Sequence, residues 1–412
     1  MMKLRKSLYF VLCLMVGVYT LSGCIEEYEA DISAEDSDLL VVEGTICASK
    51  ENTFTLSRTQ AIRSDLPSDL STGSTRYYSD TPQMVKDAKV SVRGSDGSEY
   101  KAQATSNGHY TCKIGFLYPD VDYYLHIETD GEIYESEPQK PLRTEKIADV
   151  RGVQNTPESD IDVLITPDDP FEPDQENYYS WTYDVTWQVY PDYTTRIYYD
   201  TILKKAVNKR DQFPKCGWIN AKGSDIIIGA STNYDGQHIR RLKLYDISRG
   251  NERIFYRYSG LVHQRAISKG EYEYELARRQ ASSEMGGLFT PLPSALPSNI
   301  HCLTSNKHVI GYVGCSFNTS EYRFFLNAND FAIYRPALAD KRIWLENPTE
   351  EECLQMVKRG LFLCEWEDPW KSADGKLRTA WAYIYQLDVR YRYEGVYIEE
   401  PDFWSLKENV SY

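Results

Sequence analysis

Tyr178–Tyr190 reads YYSWTYDVTWQVY. Its odd positions, Tyr179, Trp181, Tyr183, Val185, Trp187 and Val189, are large and apolar, while Ser180, Thr182, Asp184, Thr186 and Gln188 between them are polar. Successive side chains of a strand point to opposite faces, so a period of two this strict means one buried face and one wet one. Pro191-Asp192 turns the chain toward a second strand over Thr194–Leu203. Trp381–Tyr393 repeats the alternation, with Trp381, Tyr383, Tyr385, Leu387, Val389, Tyr391 and Tyr393 on one face. Strands of this length predict a large sheet or open barrel, in a C-terminal β-rich domain over 147–412.

Upstream the runs are shorter. Leu39–Ile46, Thr53–Leu56, Ala88–Arg93, Glu99–Ala104, His109–Ile114, Tyr123–Glu128 and Glu132–Ser136 are β-type, separated by turn pairs such as Asn107-Gly108 and Asp130-Gly131. Short strands at close spacing with turn dipeptides between them predict a small antiparallel sandwich over 39–146, of immunoglobulin-like or carboxypeptidase-regulatory-like type. Ser64–Asp80 reads as a polar loop inserted in it. Pro141–Val150 begins the crossing to the second domain, and Pro157–Glu176, rich in Pro and Asp, continues it with one apolar cluster, Val163-Leu164-Ile165. The fold class is therefore mainly β, with a few short helices. One helix is predicted from the capping box at Ser268–Glu271 to Met285, with Ile267 and Tyr272 as its staple and Gly286-Gly287 as its stop. A second opens at the box Thr349–Glu352 and ends at Lys358-Arg359-Gly360.

The N-terminus sets location. Lys3, Arg5 and Lys6 precede the apolar run Leu8–Tyr19 and then Leu21-Ser22-Gly23-Cys24, which reads as a signal peptide over 1–23 ending in a lipobox, with Cys24 acylated. The other reading is a simple export signal with an incidental cysteine. Residues 24–38 form an acidic tether, in which Glu26, Glu27 and Glu29 fit an export address to the outer face of an outer membrane or, as simply, a solvated spacer. Acyl chains bury about 0.8 kcal/mol per methylene and hold such a domain on the bilayer. After Cys24 the chain has no apolar run near the ~18 residues a spanning helix needs. The expected location is thus lipid-anchored, at the outer membrane, facing outward.

The balance of 46 Lys+Arg against 61 Asp+Glu gives a formal charge of −15, more acidic still once the leader is lost, and this weighs against nucleic acid as a partner. Seven cysteines follow Cys24. In an oxidising compartment Cys353 with Cys364, Cys302 with Cys315, and Cys47 with Cys112 are candidate disulfides; spacing fixes neither the connectivity nor which of the seven thiols is left over.

The sequence has no G-x-S-x-G elbow, no H-E-x-x-H, no phosphate-binding glycine loop and no dinucleotide fingerprint. No cofactor is expected. His301, Cys302 and His308 come nearest to a metal cluster, against a reading in which Cys302 is bridged and the histidines lie on the surface. Asp168, Asp169, Glu172, Asp174 and Glu176 could hold calcium but lack the glycine turn of an EF-hand loop, so a solvated acidic linker competes. Glu365-Trp366-Glu367-Asp368-Pro369-Trp370 pairs carboxylates with tryptophans as a sugar site does; its plainer reading is a turn with aromatic packing. Trp366 and Trp370 become a contact surface if exposed together. Gly286–Ser294 (GGLFTPLPS) reads as a stiff crossover or a ligand loop.

Several segments together resemble a family known only as domain of unknown function 4249. They are the lipobox, LVVEGTI around Val41, Gly108–Tyr110, Tyr123–Ile127, KCGWI at Lys215–Ile219, the helix before GGLFTPLPS, Asn299-Ile300 and VIGYVGCS at Val309–Ser316. The resemblance implies an outer-membrane lipoprotein of Bacteroidota, encoded near TonB-dependent receptors, and so a non-enzymatic accessory subunit that captures ligand for, or acts as a lid on, an uptake barrel. It also suggests a lineage-specific disulfide at Cys315. The ligand, whether small molecule, peptide or glycan, is not specified. A surface adhesion protein without a transporter is the alternative, and an unrecognised hydrolase a third.

Overall fold

The structure is a computed structural model that describes residues 38–48, 51–59, 83–168, 176–210, 212–283, 296–337, 339–405 and 409–411. The leader, Cys24, Glu26, Glu27, Glu29, the insertion Ser64–Asp80 and Gly286–Ser294 lie outside the described residues. The chain divides into two compact units, residues 1–39 with 58–83 and residues 40–57 with 84–412. In the described part of the first, the Arg58 guanidinium donates to the Asp38 carbonyl at 2.9 Å.

The described residues are mainly β, with several sheets, few short helices and, among them, no closed barrel. The first sandwich forms close to the expected strands. One sheet runs Val309–Ser316, Leu40–Cys47, Glu51–Arg58, His109–Lys113, Gln103–Ser106; the other runs Ile300–Cys302, Glu132–Ser136, Tyr123–Thr129, Lys89–Gly94, Glu99–Lys101. The single return predicted over Glu99–Ala104 is two strands, because the chain changes sheets at Ala102, whose N–H goes to the Val90 carbonyl. Asp130 and Gly131 both take positive φ, 52° and 76°, as a tight hairpin turn between right-twisted strands requires. The core contains Leu40, Val42, Phe54, Leu56, Tyr110, Tyr123, Leu125 and Tyr134, but also Ile300, Val309, Val313 and Cys315. Those last four come from far along the chain. Val309–Ser316 pairs parallel with Leu40–Cys47, from Leu40↔Val309 to Cys47↔Ser316.

The second sandwich is built on Tyr178–Val189. Its odd positions enter a core with Ile147, Val150, Ile161, Val163, Ile165, Tyr258, Val262 and Phe324. Its sheet runs Gly217–Lys222, Tyr178–Val189, Arg257–Ala266, Ser320–Asn327, Val410–Ser411, and the facing sheet runs Ile147–Val153, Ile161–Pro167, Leu242–Ile247. The stretch read as a crossing thus supplies two core strands. A third, smaller layer has strands Ile343–Glu346, Arg378–Tyr383 and Leu361–Glu367 under the helix Glu350–Lys358, with Trp381 and Leu363 buried.

Two expected strands are corrected. Trp381–Tyr393 is a strand only to Tyr383. Gln386 then accepts the Tyr383 N–H at 3.0 Å and Asp388 the Arg390 N–H at 3.0 Å, and these local caps fold Ile384–Leu387 and Val389–Tyr391 into short helical turns. Within Thr194–Leu203 only Ile197–Asp200 is a strand, and it pairs with Lys205–Asn208 in a separate hairpin. The Asp200 carboxylate accepts the Ile202 and Leu203 N–H groups, which ends the strand.

The helices follow their signals. Glu350–Lys358 carries the reciprocal Thr349–Glu352 box. Lys269–Ser283 begins at Ser268, whose hydroxyl accepts the Glu271 N–H at 3.1 Å, but the Glu271 carboxylate is turned to Arg265 rather than back to the cap.

Candidate functional site

Among the described residues of the second unit, two regions that combine a cavity with charged side chains stand out. The first, of about 350 Å³, lies where the first sandwich (Thr45, Cys47, Asn52) meets the second (Thr182, His263, Arg265) and the helix Lys269–Ser283. Most of its charges are paired, Glu275 with Arg278 among them. Arg265 makes a two-pronged pair with Glu271, and His263 is held between Asp184 (3.1 Å) and Glu321 (2.9 Å) across three strands. Gly314 packs so close to this pair that any side chain there would collide with the Glu271 carboxylate. Neutralised charge and close packing describe a joint between sandwiches.

The second region opens where Tyr178–Val189 runs out at Tyr190. A cavity of about 650 Å³ is lined by Tyr190, Thr194, Arg196, Arg210, Phe213 and Lys215, among others. It is positioned from both sides. Tyr193 donates its hydroxyl to Asp340 at 3.2 Å and its N–H to the Gln386 carbonyl, while the Thr195 hydroxyl donates to the carbonyl of Leu363 at 2.8 Å. The Lys209 N–H donates to the Arg196 carbonyl, which closes the hairpin and brings Arg196 alongside Arg210. Phe213 sits edge-on to Phe362, with ring centroids 5.3 Å apart.

Tyr190 is also the wall of a second cavity, of about 310 Å³, lined by Tyr256, Phe255, Arg335, Asp192, Arg392 and Tyr393 among others. The Tyr190 and Tyr256 rings lie 4.3 Å apart, and burial, then nearby Cys216 and Tyr256, push the Tyr190 hydroxyl above its usual pKa. Here Arg392 is paired with Asp192, Tyr393 donates to Glu252 at 3.0 Å, and Arg335 lies over the rings of Tyr256 and Phe255. Together the two cavities form a cleft of rings, hydroxyls and guanidinium groups. Such a surface grips a ligand through stacking and charge-assisted hydrogen bonds.

A family model described as a domain of unknown function, DUF4249, matches residues 25–322. The chain belongs to the DUF4249 family. No match was found among curated proteins. The matched span of this DUF4249 member takes in the first sandwich, the parallel strand Val309–Ser316 that completes it and most of the second sandwich, and it includes every lining residue of the larger cavity except Leu387.

The residues singled out by sequence are scattered. Trp366 is half-buried, stacks on Tyr199 and donates to Asp368 at 2.9 Å, whereas Trp370 is 78% exposed beneath the Lys371 ammonium. The two tryptophans are thus not exposed to the same degree. The neighbouring carboxylates are occupied, Glu365 by Arg342 at 2.8 Å and Glu367 by Arg378 at 3.6 Å. His301 meets Glu137 at 3.2 Å, while Cys302 faces Thr304 and Ser305, so the two do not converge. Among the described residues no group of three or more His, Cys, Asp or Glu is arranged to hold a metal ion. Of the acidic linker only Asp168 and Glu176 are described, and Glu176 accepts from Tyr178.

Cys47, Cys112, Cys216, Cys302, Cys315, Cys353 and Cys364 are all free thiols. Cys47 and Cys112 are kept apart by the intervening strand, where the Asn52 amide bonds the Cys47 backbone on one side and the Cys112 carbonyl on the other. Cys315 points into the first core, whereas Cys302 bonds the hydroxyls of Thr304 and Ser305. Cys353 packs in the third core and Cys364 sits at a bulge outside it.

Sequence reading missed the Tyr190 cleft. A signal was present: between Arg196 and Lys215 stand Arg196, Lys204, Lys205, Lys209, Arg210 and Lys215 against only Asp200 and Asp211, a basic island in an acidic chain.

Proposed function

We propose that this chain is a lipid-anchored outer-membrane protein that acts without catalysis as the ligand-capturing or lid subunit of a TonB-dependent uptake receptor. The observation that carries the reading is the cleft around Tyr190, whose rings, hydroxyls and cations suit holding a ligand. Among the described residues no helix is long and apolar enough to cross a membrane; attachment would come through an acyl chain on Cys24. Exposed Ile202 (88%), Leu203 (58%) and Trp370 (78%) offer apolar contact to a partner. They would equally suit a surface protein that adheres to other material, with no transporter involved.

The test is a pull-down of the acylated chain from detergent-solubilised outer membrane, beside a Cys24→Ala strain. A barrel of receptor size in the eluate, and loss of uptake in the variant, are expected. A lone monomer whose deletion leaves uptake intact would overturn the capture role.

A further inference from the structure

The larger cavity beside Tyr190 is lined by three cationic side chains, Arg196, Arg210 and Lys215. Many other arginines have carboxylate partners, as Arg93 has Glu99, Arg265 has Glu271, Arg342 has Asp340 and Arg390 has Asp388, or lie over aromatic rings, as Arg249, Arg253 and Arg335 do. Arg196, Arg210 and Lys215 line one cavity together, and among the described residues no carboxylate pairs with any of them or lines that cavity. Three like charges around one cavity, with no carboxylate among the described residues to offset them, repel one another, and an anion relieves that repulsion.

We propose that this cavity binds a small ring-bearing oxyanion, with Arg196, Arg210 and Lys215 holding its carboxylate, sulfate or phosphate group and Tyr190 and Phe213 flanking its ring. Guanidinium forks match such groups with two parallel N–H donors, and an ammonium adds a compact point charge. The Thr194 hydroxyl, which has no partner among the described residues, and the Tyr190 hydroxyl supply neutral donors for the ring substituents. At about 650 Å³ the cavity falls within the range of roughly 300–1,000 Å³ usual for small-molecule sites. The overall charge of −15 does not forbid this. At physiological salt the screening length is about 8 Å, so an anion inside the cavity responds to the lining cations more than to distant carboxylates. This assignment names the ligand class for the capture role and rests on that reading for its biological sense.

Isothermal titration of the purified full-length chain with glucuronate, glucose, inorganic sulfate and inorganic phosphate tests it without any receptor. Glucuronate binds, glucose does not, and sulfate and phosphate compete with glucuronate but bind more weakly. Arg196→Gln, Arg210→Gln and Lys215→Gln each weaken glucuronate by about tenfold, the scale of one charge-assisted hydrogen bond, and affinity falls as salt is raised. Lys371→Gln, whose ammonium lies over Trp370 and lines neither cavity, changes nothing. All four side chains are exposed, so thermal unfolding should confirm that the variants fold. Equal binding of glucose, or full affinity in the cation variants, overturns the proposal. Sulfate binding as tightly as glucuronate overturns the role of the rings. An absent barrel in the pull-down would overturn the capture role and leave this binding result standing.

Discussion

Trp181 donates its indole N–H to the side-chain carbonyl of Gln264 at 2.9 Å, directly across the paired strands, with both side chains wholly buried. Gln264 in turn donates to the carbonyl of Glu145 at 2.8 Å. The residue that tolerates a large indole in the second core therefore also ties down the segment arriving from the first sandwich. Next to it, Thr144 exchanges hydrogen bonds with Asn318 and accepts the Ala266 N–H.

Replacing Gln264 with Leu leaves the Trp181 N–H and the Glu145 carbonyl without their partner. An orphaned buried polar group costs about 1–3 kcal/mol, so a loss of about 3 kcal/mol is expected in urea denaturation. The double variant Gln264→Leu with Trp181→Phe should recover part of it, since the unsatisfied N–H is gone. A double variant no better than the single one would show that packing, not the hydrogen bond, is what matters here.

The parallel pairing of Leu40–Cys47 with Val309–Ser316 makes the first sandwich dependent on a distant segment. A fragment of residues 39–146 lacks Ile300, Val309, Val313 and Cys315 from its core and leaves Leu40–Cys47 as an exposed edge. It should show no cooperative thermal transition and should self-associate in size-exclusion chromatography. A sharp transition from a monomeric fragment would mean that the later strands only decorate a domain already complete.

This dependence marks how far the sequence could be read. Alternation at Tyr178–Val189 revealed a buried face because burial acts on each residue separately. It said nothing of partners, because strand pairing joins segments hundreds of residues apart through backbone bonds common to any sequence. The same limit explains Trp381–Tyr393, where the period of two continues while the caps at Gln386 and Asp388 redirect the backbone. The Tyr190 cleft was hidden differently. Arg196, Arg210 and Lys215 have no motif spacing, and only the hairpin closure at Lys209 and the turn at Pro191-Asp192 bring them around one cavity.

Asp388 is a buried titrating group whose effect on stability has a defined sign. Its side chain is about 1% exposed and accepts from the Arg390 N–H at 3.0 Å and from its guanidinium at 2.6 Å. Burial alone would raise its pKa, but the Arg390 side-chain and backbone hydrogen bonds outweigh it and hold the carboxyl below its ordinary value. A folded value below the unfolded one, about 3.9, means the stabilisation is present above that pH and fades as pH falls through the folded value. Asp388→Asn should therefore be less stable than the parent at pH 7, with the gap narrowing below about pH 4. A gap independent of pH would assign the whole effect to packing.

Thiol reactivity separates the cysteines by environment. Burial pushes the thiols of Cys112 up to about 11 and of Cys315 and Cys364 up to about 12, where almost no thiolate exists at neutral pH. Cys302 differs. Burial raises it too, but hydrogen bonds from Ser305 and Thr304, at 3.1 and 3.4 Å between side-chain atoms, stabilise the thiolate and bring its pKa below the usual value. Iodoacetamide at pH 7.5 should modify Cys302 well before Cys112, Cys315 or Cys364 in the native protein, and all of them only in denaturant, as read by peptide mapping. Thr304→Ala with Ser305→Ala should slow Cys302, since the thiolate loses both donors while its exposure hardly changes. A non-reduced digest that yields a Cys302–Cys315 cross-linked peptide would reverse the assignment, because the bond could form only if Cys315 turned out of the core that now buries it.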